Sequence, residues 1–466
     1  MTASRLVVIG ADAAGMSAAS QARRRRRDPD DLDIVAIERQ PWTSYSACGI
    51  PYWVAGQVAG PDALIARTPE QHRANGIDLR TGQEAVAIDV DRGRVRVRDR
   101  VEGSEYDLDY DDLVIATGAV PVRPPVPGID APGVYGVQTI DDGLALLDAL
   151  AESPQRAVVV GAGYIGIEMA EAMCDRGLTV TVVDMADEPM STLDPDMGRL
   201  VRKAIEGMGV TVASGHPVRE IAVGPDGRAR AVVTDSGTYE ADLVVLGLGV
   251  KPNTALAEAA GLPLGPHGGL VTDVRQRVVG HPTVWSGGDC VECRDRVTGE
   301  LVHVPLGTHA NKQGRVIGVN LGGGYLTFPG VVRTAVSKVC DLEIARTGLR
   351  EVDATRAGYE FVTASLASTT RAGYFPGAQP MTTKVIAERR TGLLLGAQIV
   401  GRSGSAKRID TAAVALWNGM TVEEVAGLDL AYAPPFSPVW DPVLIAARKA
   451  ADLVAAGAGA GGDAGG

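Results

Sequence analysis

Short apolar runs without polar interruption punctuate the first half of the chain: Leu6-Val7-Val8-Ile9, Ile34–Ile37, Leu113–Ala116, Ala157–Val160, Val180–Asp184 up to its final acid, and Leu243–Leu246. Runs of this length and character mark strands buried on both faces, as in parallel sheets. Two of the segments share a longer pattern. Residues 5–38 read as strand, Gly-rich turn, helix, strand and a terminal acid, and residues 156–184 repeat it about 150 residues later. This is a βαβ unit occurring twice. The runs at 113–116 and 243–246 each end in small residues, Ala116-Thr117-Gly118 and Gly247-Leu248-Gly249, and prolines follow both, Pro121 to Pro127 and Pro252. Such stretches predict crossings between domains. From about residue 326 the pattern changes to short β-like runs, Phe361–Ser365, Thr383–Glu388 and Leu393–Val400, before a helical stretch at 405–418, which predicts a separate α+β domain. The Gly/Ala-rich tail from Gly457 is expected to be disordered.

The second Gly-rich turn is Gly161-Ala162-Gly163-Tyr164-Ile165-Gly166, with Asp184 ending the next strand. Glycines there permit a tight turn and close approach of a pyrophosphate. The helix start offers free N–H groups and the positive end of its dipole, and the acid suits a ribose 2′-OH. Met185 and Ala186 follow, with no Arg to receive a 2′-phosphate, so the expected nucleotide is NADH, with NADPH as the alternative. The first turn, Gly10-Ala11-Asp12-Ala13-Ala14-Gly15, carries Asp12 in the middle-glycine position, and Glu38 stands where the ribose-binding acid belongs. Two dinucleotide sites in one chain suggest one bound flavin and one exchanging nicotinamide.

Length and composition set bounds. The 466 residues exceed one compact core and predict two to three domains. Hydrophobic residues at 45% and charged residues at 22% fit a globular protein. A net charge of -12 gives no footprint for nucleic acid. No apolar run approaches a membrane span, and the first strand begins so early that no signal peptide is expected. Five widely spaced cysteines do not form a secreted disulfide scaffold, and a reducing cytoplasm is the expected location. Cys290 and Cys293 form a C-x-x-C, but no second ligand pair accompanies them and no metal site is expected; Cys174 and Cys340 read as packing residues.

The segment Ser44-Tyr45-Ser46-Ala47-Cys48-Gly49-Ile50-Pro51-Tyr52 follows, with Cys48 ten residues after Glu38. With Ala116-Thr117-Gly118, Gly249-Val250-Lys251-Pro252-Asn253, Gly287-Gly288-Asp289, Pro305-Leu306-Gly307-Thr308-His309-Ala310, Ala406–Asp410 and Tyr432-Ala433-Pro434-Pro435, it resembles the pyridine nucleotide-disulfide oxidoreductase family, in its single-cysteine branch, from about residue 5 to 450. That branch contains coenzyme A-disulfide reductases, NADH oxidases and peroxidases, and polysulfide reductases.

The resemblance implies two Rossmann-like domains, one for FAD and one for NAD, and a C-terminal α+β dimerisation domain. It divides the chain into a flavin domain at 1–118 and 248–325, a nicotinamide domain at 119–247, a dimerisation domain at 326–452 and a disordered tail at 453–466. It also implies flavin contacts at Arg39, Ser46, Gly118, Gly249, Asp289, Pro305, Leu306 and Thr308, beside the two Gly-rich turns and their acids. Glutathione-reductase-like members carry a C-x4-C pair. Here the second position is Trp53, so Cys48 alone would attack the substrate sulfur, in a setting near a helix N-terminus and beside an electron-poor flavin that favours the thiolate. Oxidase and peroxidase members carry a His in the first turn, where this chain has Ala13, which weighs against those activities. The helix carrying Ser20-Gln21-Ala22-Arg23-Arg24 resembles a coenzyme A-binding segment, so Gln21 and Arg24 are substrate-binding candidates within the basic run Arg23–Arg27. The resemblance implies a homodimer whose C-terminal domain reaches the partner's cysteine; coenzyme A-disulfide reductases use two tyrosines for this, and Tyr374 and Tyr432 match them. The expected enzyme reduces a small disulfide or persulfide of coenzyme A type. The alternatives are an NADH oxidase and a redox-sensing or electron-transfer flavoprotein with a protein partner.

Overall fold

A computed structural model describes residues 3–26, 28 and 30–460, with side chains to residue 457. Its frame is two parallel sheets of the same design. In the first, Ser4–Ile9 lies between Leu32–Glu38 and Asp112–Ile115, with Asp78–Thr81 and Val284–Ser286 at the edges. In the second, Arg156–Val160 lies between Thr179–Asp184 and Leu243–Leu246, flanked by Thr211–Ser214 and Val134–Tyr135. The unbroken apolar runs occupy the central strands because both faces are covered: Leu6, Val7, Val8, Val158, Val159 and Val182 are inaccessible to solvent. Each sheet is accompanied by a three-stranded antiparallel meander, Gln83–Asp109 in one case and Val218–Glu240 in the other.

The proline-rich stretches read as crossings run side by side. Ala119–Pro121 pairs antiparallel with Val250–Pro252, so the chain leaves the first sheet and returns to it through one two-stranded neck. On the return, the helix Gly307–Leu321 packs against Ala13–Arg25, the helix of the first Gly-rich turn. Their contact is close: a Cβ on Gly314 would stand 2.3 Å from the Ala14 carbonyl oxygen, so only glycine fits. That contact brings Pro305–Thr308 alongside the first turn.

The last sheet is antiparallel, in the order Ala335–Val339, Leu342–Gly348, Leu394–Gly401, Pro380–Glu388, Phe361–Thr369, with the helices Ile409–Trp417 and Pro442–Ala460 packed on it. The expected disordered tail is corrected here. Residues 453–460 continue the final helix, because the alanines of this stretch are strong helix formers that outweigh single glycines. Residues 461–466 lie outside the described residues. No helix among the described residues is long and apolar enough to cross a membrane.

Candidate active site

The two Gly-rich turns are built alike. Gly10 and Gly161 adopt φ of +93° and +101°, which L side chains avoid. A Cβ on Gly15 or Gly166 would lie 1.9 Å from the carbonyl oxygen of Gly10 or Gly161, so the third glycine of each motif lets helix and turn close on one another. The terminal acids make corresponding bonds. Glu38 Oε2 accepts the Ala11 N–H at 3.0 Å, and Asp184 Oδ2 accepts the Ala162 N–H. Asp184 Oδ1 also accepts the Ala186 N–H at 2.7 Å. The middle position separates the two turns: a Cβ on Gly163 would meet nothing within 4 Å, whereas Asp12 places a carboxyl there.

Both turns open on one cavity of about 2710 Å³, well above the roughly 300–1,000 Å³ of a single-ligand pocket. Every site residue expected from the sequence lines it except five. Ala11, Gly15 and Gly166 lie behind the turns, where they pack the backbone. Tyr374 and Tyr432 are elsewhere, at 78% and 45% exposure; Phe436, Val439 and Trp440, which follow Tyr432 in sequence, are also exposed. The Tyr432 phenol is held above its ordinary value by burial and by Tyr374.

Cys48 sits in the short turn Ala47–Gly49, ahead of the helix Ile50–Ala55, and is open to the cavity. Trp53, in the second-cysteine position, is 4% exposed and fills the core against Gly143, so no thiol accompanies Cys48 there. In the chain alone, the helix start does not by itself favour the thiolate. Burial in the cavity wall pushes the Cys48 thiol up, and Glu168 and Asp289 add to it, while a helix of six residues offers little dipole in return.

Glu168 was missed by the sequence reading, although it lies one helical turn beyond Tyr164 on the face that turns to the cavity. Its carboxyl, raised by burial, accepts a hydrogen bond from Ser337 Oγ at 2.8 Å. His72 was also missed. It is buried, and its Nε2 lies 2.9 Å from Ser44 Oγ in the loop leading to Cys48. It is the one imidazole that lines the cavity among the described residues; Ala13 lines it where a first-turn histidine would stand.

The basic run divides by role. Gln21 and Arg24 line the cavity, and both Arg23 and Arg24 join Arg67, Ser20 and Gln71 around a smaller adjoining pocket. Arg23 also donates to the carbonyl oxygens of Gly76 and Leu32, and Arg26 pairs with Asp31. Of the run, Arg24 lines the main cavity, while Arg23 and Arg26 help close the following loop. Arg27 lies outside the described residues.

Cys290 and Cys293 are buried. Cys290 Sγ donates toward the Ile115 and Gly287 carbonyl oxygens, and Cys293 Sγ accepts from Gln313 Nε2 at 3.1 Å. Burial pushes the Cys293 thiol up to about 12. Gln313 Oε1 in turn accepts the Gly288 N–H at 2.8 Å, so the pair steadies the loop that carries Asp289. No group of three or more potential metal ligands occurs among the described residues.

The sequence matches the pyridine nucleotide-disulphide oxidoreductase model over residues 4–314, and the dimerisation-domain model of that family over residues 334–442. The NAD(P)H coenzyme A polysulfide/persulfide reductase of Pyrococcus horikoshii is 39% identical over 449 residues, covering 95% of this chain and 98% of that protein. The NADH oxidase of Methanocaldococcus jannaschii is 38% identical over 449 residues, covering 96% and 98%. Among solved structures, the NAD-dependent persulfide reductase from A. fulgidus superimposes with a TM-score of 0.93 at 40% identity, covering 96% of this chain and 83% of that one. With a family model spanning most of its length, the cavity between two duplicated nucleotide folds and a lone thiol at its wall, the chain belongs to the pyridine nucleotide-disulphide oxidoreductases.

Proposed function

We propose that this chain is an FAD- and NADH-dependent reductase of a small disulfide or persulfide, of the coenzyme A type, acting through Cys48 alone. The observation that carries the reading is Cys48 open to a cavity shared with both nucleotide turns, with Trp53 buried where a second thiol would be needed. The donor set suits the cofactors: helix starts and acids at both turns, with Asp289, Pro305, Leu306 and Thr308 beside the first. The flavin domain is assigned to residues 1–118 and 248–325, the nicotinamide domain to 119–247, and the dimerisation domain to the remainder of the folded chain. The protein would act as a homodimer in the reducing cytoplasm.

The Cys48 thiolate attacks one sulfur of the substrate R–S–S–R, forms a Cys48–S–S–R bond and releases one thiolate, which takes up a proton. A flavin held at the first turn by Glu38 and Asp289 would supply the two electrons, drawn from NADH, that with one proton return that bond to the Cys48 thiolate and a second thiol. Gln21, Arg24 and Arg67 meet the anionic part of the substrate. Glu168, near Cys48 and raised by burial, is a proton holder on the nicotinamide side. Asp184 selects NADH by accepting hydrogen bonds from a ribose and repelling a 2′-phosphate. Tyr374 and Tyr432 reach the partner's Cys48, where a protonated phenol stabilises the departing thiolate. Several relatives bear the name NADH oxidase; Ala13, in the place of a first-turn acid/base, supports the reductase reading instead.

The test is Cys48→Ser. The variant should keep FAD and its reduction by NADH in stopped-flow absorbance, and lose turnover of coenzyme A disulfide by at least about a thousandfold, as expected when a covalent nucleophile is removed. Full disulfide turnover in the variant would overturn the single-cysteine reading.

A further inference from the structure

Asp12 stands in the middle-glycine position of the flavin turn and precedes the helix Ala13–Arg25, yet its side chain makes no helix-capping bond. An Asp at a helix start ordinarily turns to the amides of the first turn. Here Oδ1 accepts the Tyr45 N–H at 3.2 Å, in the loop that leads to Cys48, and among the described residues the only first-turn amide acting on the carboxyl is that of Ala13. A second bond ties the same loop to the turn, from Thr43 Oγ1 to the Ala11 carbonyl oxygen. Asp12 therefore joins the phosphate-facing turn to the cysteine loop, and it lines the cavity while doing so.

Its surroundings are acidic. The charged groups acting on it are Glu38, at the end of the neighbouring strand, and Asp289, from the loop after Val284–Ser286. Arg39 acts on Glu38 and His303 on Asp289, but no cation is among the groups that bear on Asp12 itself. Tyr45, whose amide it holds, carries a phenol that burial keeps protonated. The turn offers its helix N-terminus to a diphosphate, so an ionised Asp12 would be a third negative group facing an anion.

Building on the flavin reading, we propose that Asp12 is a proton-carrying neighbour of the flavin diphosphate: it takes up a proton as FAD binds, and FAD is held less tightly as the pH rises. Burial, and then Glu38 and Asp289, already raise its carboxyl to about 7 in the protein alone. An adjacent diphosphate raises it further, since like charge disfavours ionisation. The sign follows from linkage. Below the lower of these two values the acid is protonated with and without FAD, and affinity is constant. Between them only the complex holds the proton, and the FAD dissociation constant rises by about tenfold per pH unit.

The experiment uses flavin-stripped full-length protein, titrated with FAD by flavin fluorescence from about pH 6 to about pH 9, beside calorimetry in buffers of different ionisation heat. Wild type should weaken steeply above about pH 7 and take up close to one proton per FAD at about pH 8. Asp12→Asn should bind FAD with a flat profile and negligible uptake, because the amide is neutral at every pH. If stripped protein does not refold, the rate of FAD loss from the holoenzyme on ultrafiltration at each pH gives the same comparison. A flat wild-type profile, or a slope that survives in Asp12→Asn, overturns the proposal. So does FAD binding that depends on a divalent cation and is lost in EDTA, since a metal bridge would then screen the acid. Failure to bind FAD at any pH would instead overturn the flavin reading on which the proposal rests.

Discussion

The two Gly-rich turns differ most at single residues, and those differences divide the labour between the sites. Gly163 leaves open space where Asp12 places a carboxyl. At the strand ends, Glu38 and Asp184 bind the turn amides in the same way, so each acid is held in position before any nucleotide arrives. After Asp184 comes Met185, which is 75% exposed and offers no charge to a 2′-phosphate. Replacing Asp184 by Ala together with Met185→Arg removes one repulsion and adds one attraction. Each is worth on the order of 1 kcal/mol at partial exposure. The NADPH:NADH ratio of kcat/KM should rise by at least about tenfold in steady-state assays, and a wild type that already prefers NADPH would contradict the role given to Asp184.

At the scale of elements, the segment between the second βαβ unit and the helix Pro195–Gly207 is fastened to the antiparallel sheet. Lys384, 3% exposed on the strand Pro380–Glu388, binds Asp194 at 3.1 Å and Asp196 and Glu351 at 2.8 Å each. Gln398 donates to Asp194 Oδ2 at 2.7 Å and accepts its N–H at 2.8 Å. Burial alone would lower the Lys384 amine, but three carboxylates outweigh it and hold the group charged. Lys384→Met leaves Asp194 buried without its cation and should cost about 3–5 kcal/mol in urea unfolding; a loss under about 1 kcal/mol would mean that water replaces the lysine. Nothing in the sequence announced this node. Lys384 falls in a run that reads as an ordinary strand, and its partners come from positions up to 190 residues away, since Asp194 and Lys384 are separated by the difference of their numbers. The turns, their acids and Cys48 were legible because each is a local pattern: glycines at fixed spacing, an acid at a strand end, a thiol in a nine-residue motif. Glu168, Arg67 and His72 were not, because only tertiary packing brings them to the cavity. The final helix was misread because Gly457 and Gly459 were weighed more heavily than the alanines around them.

For the molecule as a whole, the cavity and the tyrosine surface are distinct places. Cys48, both turns, Gln21 and Arg24 face one cavity, whereas Tyr374 and Tyr432 lie outside it and are exposed. If the proposed reaction uses both, the two must come from different copies of the chain. The separation has a consequence for mixtures of damaged chains. Co-refold Cys48→Ser chains, which keep their phenols, with chains carrying Tyr374→Phe and Tyr432→Phe, which keep their thiol. Random pairing makes about half of the dimers mixed, and each mixed dimer has one intact centre and one doubly defective one. About a quarter of all centres should then regain wild-type disulfide turnover, although neither parent has an intact one. Chains whose centres were self-contained would show no such complementation, however they were mixed.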